Sequence, residues 1–492
     1  MRRRWTIDAL ACLALSSLCF SQASRDTLFR ADRDFYSRLP LGAPTLTALI
    51  LNIVALAAAG FVTVQVIRRV RRPLWRRVAA VAAATTLVVA LNSARMTYET
   101  VGGWADAVGR PGLWALVVFV LTASLGWPRL ALRTIRHIAV LVSPLAVVTL
   151  TAALWMFFEV AAGPVWRVVE PAPAKTTAPS LRRVVWLVFE ELDQGITFEA
   201  RPAGLALPEL DRLRRESLYA DAAQPPAGTT EVSMPALITG RPVVSVVPLN
   251  PNDLELTFAD GKPARWSTHP NLFSRARALG YDTAVIGWHL PYPRVLGDSV
   301  GAADWRPSVA YDQTRGATIG EALRSQWESL APPVHIRRVF AQRVADVGEL
   351  ALRAGTHSRF GLVLLHVPLP QLPGIYDRTA GRLTSWNFTG AEAEYLDNLE
   401  LADRFVGELR RGLERARLDD RTWIVVSSAR WRQGSDRRVP FLVRAPAGGP
   451  AAHVDGPFNT LATHNLVLAI LRGSVDDTAG AARWLARSPP VR

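Results

Sequence analysis

The sequence has little cysteine, little lysine and almost no charge inside its apolar stretches. Only Cys12 and Cys19 occur in 492 residues, and both lie in the first apolar stretch. The rest of the chain therefore forms no disulfide and offers no cysteine nucleophile. Lysine occurs only at Lys175 and Lys262, so nearly all of the positive charge is arginine.

The net charge of +15 suggests a nucleic-acid partner, but the distribution of the charge along the chain argues against one. Residues 1–158 carry 18 arginines against six acidic residues, a net +12. Residues 159–492 carry 39 basic against 36 acidic residues, a net +3. We therefore expect no nucleic-acid partner.

The chain is about three times the ~150-residue size of a typical domain, so we expect two or three structural units.

Apolar stretches dominate the first third of the chain. They cover residues 7–22, 44–67, 78–92, 113–127 and 138–158. Two of them exceed the ~20 residues that a membrane-spanning helix needs, and the others need a few flanking residues. Asp8 is the only charged residue inside them, which argues against an ion pathway or a transporter. We predict a transmembrane domain of about five helices at 1–158, with a cleaved signal peptide as an alternative for the first stretch.

Charged residues between these stretches alternate in sign along the chain. One set of loops carries twelve arginines and no acid, whereas residues 23–43 and 93–112 together carry six arginines and five acids. Arginine-rich loops stay in the cytoplasm. We therefore predict a multi-pass protein of the cytoplasmic membrane, with the lipid bilayer as its first partner. Its N-terminus is then cytoplasmic, and the chain after residue 158 lies on the outer, periplasmic side.

Residues 159–182 are rich in proline, alanine and threonine, so we interpret them as a semi-extended linker. Residues 183–492 alternate between short apolar runs and helical patterns. The predicted strands are 184–189, 283–288, 361–367, 422–427 and 439–443, and the predicted helices are 208–217, 271–279, 334–353, 391–417 and 459–471. This alternation predicts an α/β domain with a doubly wound, mostly parallel sheet. In such sheets functional residues collect just after the strands.

Two segments follow that rule. Glu190, Glu191 and Asp193 come directly after the first predicted strand, where acidic side chains are either metal ligands or a solvated strand end. Thr229 and Thr230 follow a glycine and precede a predicted helix. A threonine there is either an N-cap or, with a metal or base beside it, a nucleophile.

Together, these two segments, 40 residues apart, resemble the sulfatase/alkaline phosphatase superfamily. The resemblance is carried by an ordered series of segments: Pro-Glu-Leu-Asp-Arg-Leu (208–213), Ser-Met-Pro-Ala-Leu-Ile-Thr-Gly-Arg (233–241), Leu-Phe-Ser-Arg-Ala-Arg-Ala-Leu-Gly-Tyr (272–281), Leu-His-Val-Pro-Leu-Pro (365–370), Tyr-Leu-Asp-Asn-Leu-Glu-Leu-Ala-Asp-Arg (395–404) and Val-Pro-Phe-Leu-Val (439–443). The membrane-anchored branch of lipid A phosphoethanolamine transferases and lipoteichoic acid synthases is the most similar. The resemblance implies a sulfatase-type fold and a hydrolase or transferase acting on phosphate or sulfate esters.

Position by position, the resemblance implies roles for several residues. Glu190 takes the place of a metal-binding acid, and Thr230 takes the place of the nucleophile, which is also a metal ligand. His366 resembles a histidine that contacts substrate or a second metal, although a lone histidine at a strand end is often only a structural residue. The expected cofactor is a divalent metal, Zn or Mn.

The sequence departs from the family where its strongest motif is expected. An Asp-His pair that binds the metal should follow the strand at 422–428, but Ala429 and Arg430 stand there. Alanine offers no ligand, and a guanidinium cannot coordinate a metal. A further histidine is missing before 439–443, and Gln371 stands where many relatives have another. The metal site is therefore predicted to be degenerate.

Two functional hypotheses follow. In the first, metal-dependent turnover is reduced or lost, and Arg430 binds an anionic head group of an envelope lipid or glycan. In the second, the protein is an active hydrolase or transferase that uses Thr230, with Arg430 replacing the metal charge or with Glu191, Asp193 or Asp436 recruited as ligands.

Overall fold

The computed structural model describes residues 2–28, 35–36, 42–69, 72–97, 99–162, 182–250, 252–308, 318–446, 448–449 and 451–487. By internal contacts the chain divides into two units. The first unit comprises Met1–Asp34, Leu39–Val165 and Val309–Val339, and the second comprises Phe35–Arg38, Trp166–Ser308 and Phe340–Arg492. Most of the predicted linker, residues 163–181, lies outside the described residues, so the predicted boundaries at 158 and 183 stay a prediction.

The described helices follow one another along both units. They are α1 (Arg2–Cys19), α2 (Ser21–Leu28), α3 (Ala43–Arg69), α4 (Pro73–Thr97), α5 (Glu99–Gly126), α6 (Pro128–Leu141), α7 (Pro144–Ala162), α8 (Pro208–Arg215), α9 (Thr230–Thr239), α10 (Leu272–Ala278), α11 (Tyr292–Val295), α12 (Ile319–Glu328), α13 (Pro332–Gly355), α14 (Ala391–Arg415), α15 (Thr463–Arg472) and α16 (Thr478–Arg487).

Two helices of the first unit, α3 and α4, are long and apolar enough to cross a membrane. The pair α6 and α7 makes a third candidate span if it is counted as one helix bent by 45°. Two further apolar helical segments in the described residues, Trp5–Cys19 and Pro111–Gly126, are shorter. The first unit is therefore a helical region with two or three clear candidate spans, and five spans are not established.

The sequence analysis expected one helix over the apolar stretch at 138–158. The stretch instead forms parts of two helices. Helix α6 ends at Leu141, and α7 begins at Pro144. Proline has no N–H and restricts the backbone of the residue before it, which explains the break. The end of α7 also extends to Ala162, so the first residues of the predicted linker are helical.

Residues 319–339 belong to the first unit, although they lie in the predicted exported domain. Helix α12 packs there against α3. Gln326 donates from Nε2 to the Thr45 carbonyl at 3.0 Å and accepts from Asn52 Nδ2 at 3.0 Å. The sequence analysis predicted the helix that begins near residue 334 but neither α12 nor the unit on which it packs.

The strands lie in the second unit. They are β1 (Arg183–Glu190), β2 (Leu218–Ala220), β3 (Ala223–Gln224), β4 (Val243–Asn250), β5 (Asp253–Phe258), β6 (Pro263–Arg265), β7 (Thr283–Trp288), β8 (Ala302–Arg306), β9 (Leu362–Pro370), β10 (Tyr376–Asp377), β11 (Arg382–Leu383), β12 (Thr422–Ser428), β13 (Phe441–Arg444), β14 (Ala452–Val454) and β15 (Phe458–Asn459).

Eight strands form the main sheet in the order β14-β2-β13-β12-β1-β9-β7-β8. The pairs from β12 through β1, β9 and β7 to β8 are parallel. The mostly parallel sheet is therefore confirmed. The last predicted strand, β13, is antiparallel to both of its neighbours. A separate ribbon of β4, β5 and β6 was not predicted.

Both faces of the main sheet are covered. All eight residues of β1 are buried. Val184 and Trp186 belong to one core cluster with residues of α9 and α15, whereas Val185 and Leu187 belong to a second cluster with residues of α13 and α14. Continuous burial explains why the strand lacks polar alternation. It also leaves the strand ends as the place where polar side chains meet.

Candidate functional site

The site lies where β1, β9 and β12 bring their residues together next to the start of α9. β1 ends at Glu190 and is followed by Glu191, which has a positive φ of 62°. β9 contributes His366, whose register partner on β1 is Val188. β12 ends at Ser428, and Ala429 and Arg430 follow it. The four candidate residues that the sequence analysis singled out, Glu190, Thr230, His366 and Arg430, come together here.

Glu190 is the centre of this cluster, with a side chain only 1% exposed. Its Oε1 accepts hydrogen bonds from Thr230 Oγ1 at 2.7 Å and from His366 Nε2 at 2.8 Å. Its Oε2 accepts from Thr230 Oγ1 at 2.9 Å and from Arg430 Nε at 2.8 Å. Both carboxylate oxygens are therefore engaged by side chains of the chain itself.

These contacts determine the protonation of Glu190. Burial alone would raise its pKa, but the hydrogen bond and charge of His366, the charge of Arg430 and the hydrogen bond of Thr230 outweigh burial and lower the pKa to about 2. Glu190 is therefore a carboxylate at any pH near neutrality. It is also a weak base.

His366 is completely buried and links Glu190 to Tyr292 of α11. Tyr292 Oη and His366 Nδ1 lie 2.8 Å apart. Burial, and then the charge of Glu190, raise the pKa of Tyr292 well above its usual value, so its hydroxyl stays protonated. Because a carboxylate only accepts, the imidazole donates from Nε2 to Glu190. We call Glu190, Thr230, His366, Arg430 and Tyr292 the Glu190 network.

Thr230 is the first residue of α9, and its side chain is 6% exposed. Thr229 is the N-cap residue, but its side chain makes no capping hydrogen bond. The Thr230 hydroxyl instead donates to Glu190. The capping alternative therefore does not describe this side chain.

Arg430 directs its guanidinium at three partners. Nε donates to Glu190 as described, Nη1 lies 2.5 Å from Glu191 Oε1, and Nη2 donates to Gln371 Oε1 at 3.1 Å. Burial lowers the pKa of Arg430, but the charges of Glu190 and Glu191 outweigh burial and raise it. Conversely, burial raises the pKa of Glu191, and the charge of Arg430 offsets this only in part. The cation of Arg430 is thus paired inside the chain.

The residues of this site do not fit the divalent metal that the fold family implies. Arg430 brings a cation between Glu190 and Glu191, where a metal would need free carboxylate oxygens. The other carboxylates considered as ligands are used elsewhere: Asp193 accepts from the Ile196 N–H, and Asp436 pairs with Arg438. Across the described part of the chain, no three or more His, Cys, Asp or Glu side chains are arranged to hold a metal ion.

A second layer borders Thr230 and was missed by the sequence analysis. Glu231 accepts from His289 Nε2 at 2.8 Å, and this hydrogen bond lowers the pKa of Glu231. Tyr36 stacks on His289 with ring centroids 4.8 Å apart and an interplanar angle of 17°. His289 and Tyr292 both follow β7, so the rule that polar residues collect after strands could have found them.

The loop after Arg430 packs directly against the loop before Thr230. A Cβ at Gly228 would lie 2.6 Å from the Trp431 ring, so only glycine permits this approach. Arg437 lies over the same ring at 5.3 Å. Trp431 therefore fixes the Arg430 loop against the start of α9.

Comparison with family models gives a match over most of the second unit. A family model described as Sulfatase matches residues 182–469. No curated protein sequence matches the chain.

Solved structures with similarity include three bacterial proteins. A sulfatase from a Pseudoalteromonas species has 16% identity and a TM-score of 0.40, covering 59% of this chain and 67% of that one. A phosphonate monoester hydrolase from Silicibacter pomeroyi has 15% identity and a TM-score of 0.37, with coverages of 59% and 73%. A protein of the alkaline phosphatase superfamily from Vibrio parahaemolyticus has 14% identity and a TM-score of 0.40, with coverages of 61% and 68%.

Proposed function

The chain belongs to the sulfatase family, and we propose that it is a membrane-bound member without metal-dependent ester turnover, whose periplasmic domain binds an anionic head group. It is proposed to be related to the phosphoethanolamine transferase and lipoteichoic acid synthase branch. The observation that carries the loss of turnover is the guanidinium of Arg430, which contacts both Glu190 and Glu191.

Thr230 lacks the means to become a nucleophile. A threonine hydroxyl needs a metal or a base that takes its proton. Its hydrogen-bond partner is Glu190, and a carboxylate with a pKa of about 2 is a poor general base near pH 7. The hydroxyl proton therefore stays on Thr230, as a donor to Glu190.

The proposed anion site uses what remains of Arg430. A guanidinium has five N–H groups, and the three contacts of Arg430 within the described residues use three of them. The side chain is 22% exposed. Since Glu190 and Glu191 already contact the same guanidinium, we expect the anion to bind weakly.

The first experiment measures metal content and turnover of the full chain in detergent. The protein is incubated with Zn²⁺ or Mn²⁺, passed through a desalting column and assayed on aryl phosphate and aryl sulfate esters, beside Thr230→Ala. We expect less than stoichiometric metal and equal, background rates for both proteins.

A paired variant tests whether Arg430 is the reason. Ala429→Asp combined with Arg430→His restores the residue types of the family motif, and we expect it to retain metal that the natural protein does not. Ala416→Asp combined with Arg415→His makes the same changes at exposed positions at the end of α14 and serves as the control.

The alternative is an active hydrolase or transferase that uses Thr230, and the position of Thr230 beside Glu190 is what favours it. One metal ion per natural chain, together with turnover that Thr230→Ala abolishes, would establish that alternative and overturn the proposal.

The anion part has its own test. Inorganic phosphate and sulfate are titrated into the full chain while the intrinsic tryptophan fluorescence is recorded, beside Arg430→Gln and the control Arg415→Gln. We expect saturable binding that only Arg430→Gln loses. Binding that survives Arg430→Gln would place the anion elsewhere.

Membrane orientation is tested by labelling. A single cysteine at Arg415 in a Cys12→Ser, Cys19→Ser background should react with a membrane-impermeant maleimide in intact spheroplasts. Protection until the membrane is lysed would reverse the proposed orientation.

A further inference from the structure

The ribbon of β4, β5 and β6 has an unpaired edge. Its strand order places β4 at one end, and within the described residues no other strand pairs with that outer edge. β4 runs over eight residues, Val243–Asn250. The backbone groups of such an edge are a template for another strand.

β4 lacks the charged side chains that commonly protect an edge strand. Val244 is 60% exposed, Val247 is 53% exposed and Leu249 is 41% exposed. Exposed apolar side chains on an uncharged edge favour pairing over solvation.

The sequence around β4 reads the same in both directions. Residues 242–248 are Pro-Val-Val-Ser-Val-Val-Pro, with Ser245 at the centre. If two copies pair antiparallel about a two-fold axis at Ser245, Val243 faces Val247 of the second copy and Val244 faces its Val246. Cross-strand pairs of β-branched residues stabilise such a ladder, and no like charges meet.

The ends of this segment limit the contact. Prolines 242 and 248 have no N–H to donate, and the register of β4 against β5 shifts between Val243 and Ser245 and between Pro248 and Asn250. Pairing is therefore confined to five residues. A contact of this size falls below the ~1,000 Å² of a stable soluble interface, so it requires copies held in one membrane.

We propose that the outer edge of β4 is a homodimerisation edge, which pairs antiparallel with β4 of a second copy about a two-fold axis at Ser245. A two-fold dimer uses the same patch on both copies, which this self-complementary strand satisfies. The proposal is independent of whether the Glu190 network binds metal or anion.

Cysteine cross-linking in membranes tests the proposal. The full chain carries Cys12→Ala and Cys19→Ala, which remove its only cysteines, and Ser245→Cys. Residues facing each other in antiparallel strands have Cα atoms about 4.5–5.5 Å apart, within the range that a disulfide bridges. We expect mild oxidation to give a disulfide-linked dimer on a non-reducing gel. Ala264→Cys on β6, at the opposite edge of the ribbon, is the control and should stay monomeric.

A charge on β4 then separates specific pairing from random collision. Val244→Lys, added to Ser245→Cys, brings a charge against Val246 of the second copy on each side of the Ser245 pair and should abolish the dimer band, whereas Val244→Thr should keep it. Three results overturn the proposal: no dimer above the Ala264→Cys level, a dimer that Val244→Lys leaves unchanged, or a cross-link to a different protein.

Discussion

The Glu190 network and the outer edge of β4 differ in how their polar groups are satisfied. In the network, a buried imidazole and a guanidinium each bond to a buried carboxylate at 2.8 Å. Along β4, no charged side chain is present, and the outer backbone edge has no partner strand in the described residues. The charged side chains of the first region pair with one another, whereas the second region has no charged side chain and its outer backbone groups have no partner strand among the residues described.

This difference shows that the residues at the family's catalytic positions and the surface left open for a partner can lie in different parts of the same chain. Buried charges persist only when they are paired, and here Arg430 does for Glu190 what a cation from solution would otherwise do. This pairing neutralises Glu190 without a metal. The outer backbone groups of β4, in contrast, have no partner strand within the described residues.

The largest expected effect comes from removing the cation of the network. Arg430→Ala leaves Glu190 buried beside Glu191, and breaking one side of a buried pair costs about 3 kcal/mol. We expect the apparent melting temperature of the full chain in detergent to fall by about 5 °C or more.

The matched control is Arg212→Ala. Arg212 pairs with Glu216 at 2.8 Å, but its side chain is 47% exposed. Exposed pairs contribute about 0.5 kcal/mol. Equal losses of melting temperature for the two variants would mean that the network contributes no more stability than a surface ion pair.

Acid should weaken the network selectively. The folded pKa of Glu190, about 2, lies below its ordinary value of 4.5. Its contribution to stability is therefore complete above pH 4.5 and is lost as the pH falls toward 2. We expect the stability of the natural protein to fall toward that of Glu190→Gln over this range in pH-dependent unfolding curves. A difference between the two that stays constant from pH 5 to pH 2.5 would contradict the depressed pKa.

Local sequence predicted much of the sheet but not the network. The strands β1, β7, β9 and β12 are continuous apolar runs, so their positions follow from burial alone. The helix break at Pro144 follows from the chemistry of proline. The sequence analysis missed it because the apolar run around Pro144 is long enough for one membrane span.

The sequence identified Glu190, Thr230, His366 and Arg430 one by one, without their mutual contacts. Glu190 and Arg430 are 240 residues apart, and their pairing depends on the packing of β1 beside β12. The departure at Arg430 suggested an anion site, but the sequence did not show that Glu190 and Glu191 contact the same guanidinium. The β4 ribbon was missed because an exposed strand lacks the buried pattern that marks the others.

A smaller effect is expected from the far end of the network. Tyr292→Phe removes the hydroxyl that hydrogen-bonds His366 Nδ1 and should cost about 1–2 kcal/mol, since Nδ1 stays buried. Tyr281→Phe removes a hydrogen bond to the Leu471 carbonyl at a half-buried position and should cost less. In a double-mutant cycle with Arg430→Ala, Tyr292→Phe should couple by at least about 0.5 kcal/mol. Strict additivity would mean that the two residues do not act through Glu190.

The smallest effect on stability is expected at β4, and it sharpens the contrast most. Val244 is 60% exposed and bears no charge, so Val244→Lys should change the unfolding free energy of the full chain in detergent by no more than about 0.5 kcal/mol. The same change should abolish cross-linking through Ser245→Cys in membranes. Arg430→Ala should do the reverse, lowering stability while leaving the cross-link intact at temperatures below its transition. If Val244→Lys instead lowered the melting temperature as much as Arg430→Ala does, β4 would be a structural element of its own subunit rather than an edge left open for a second copy.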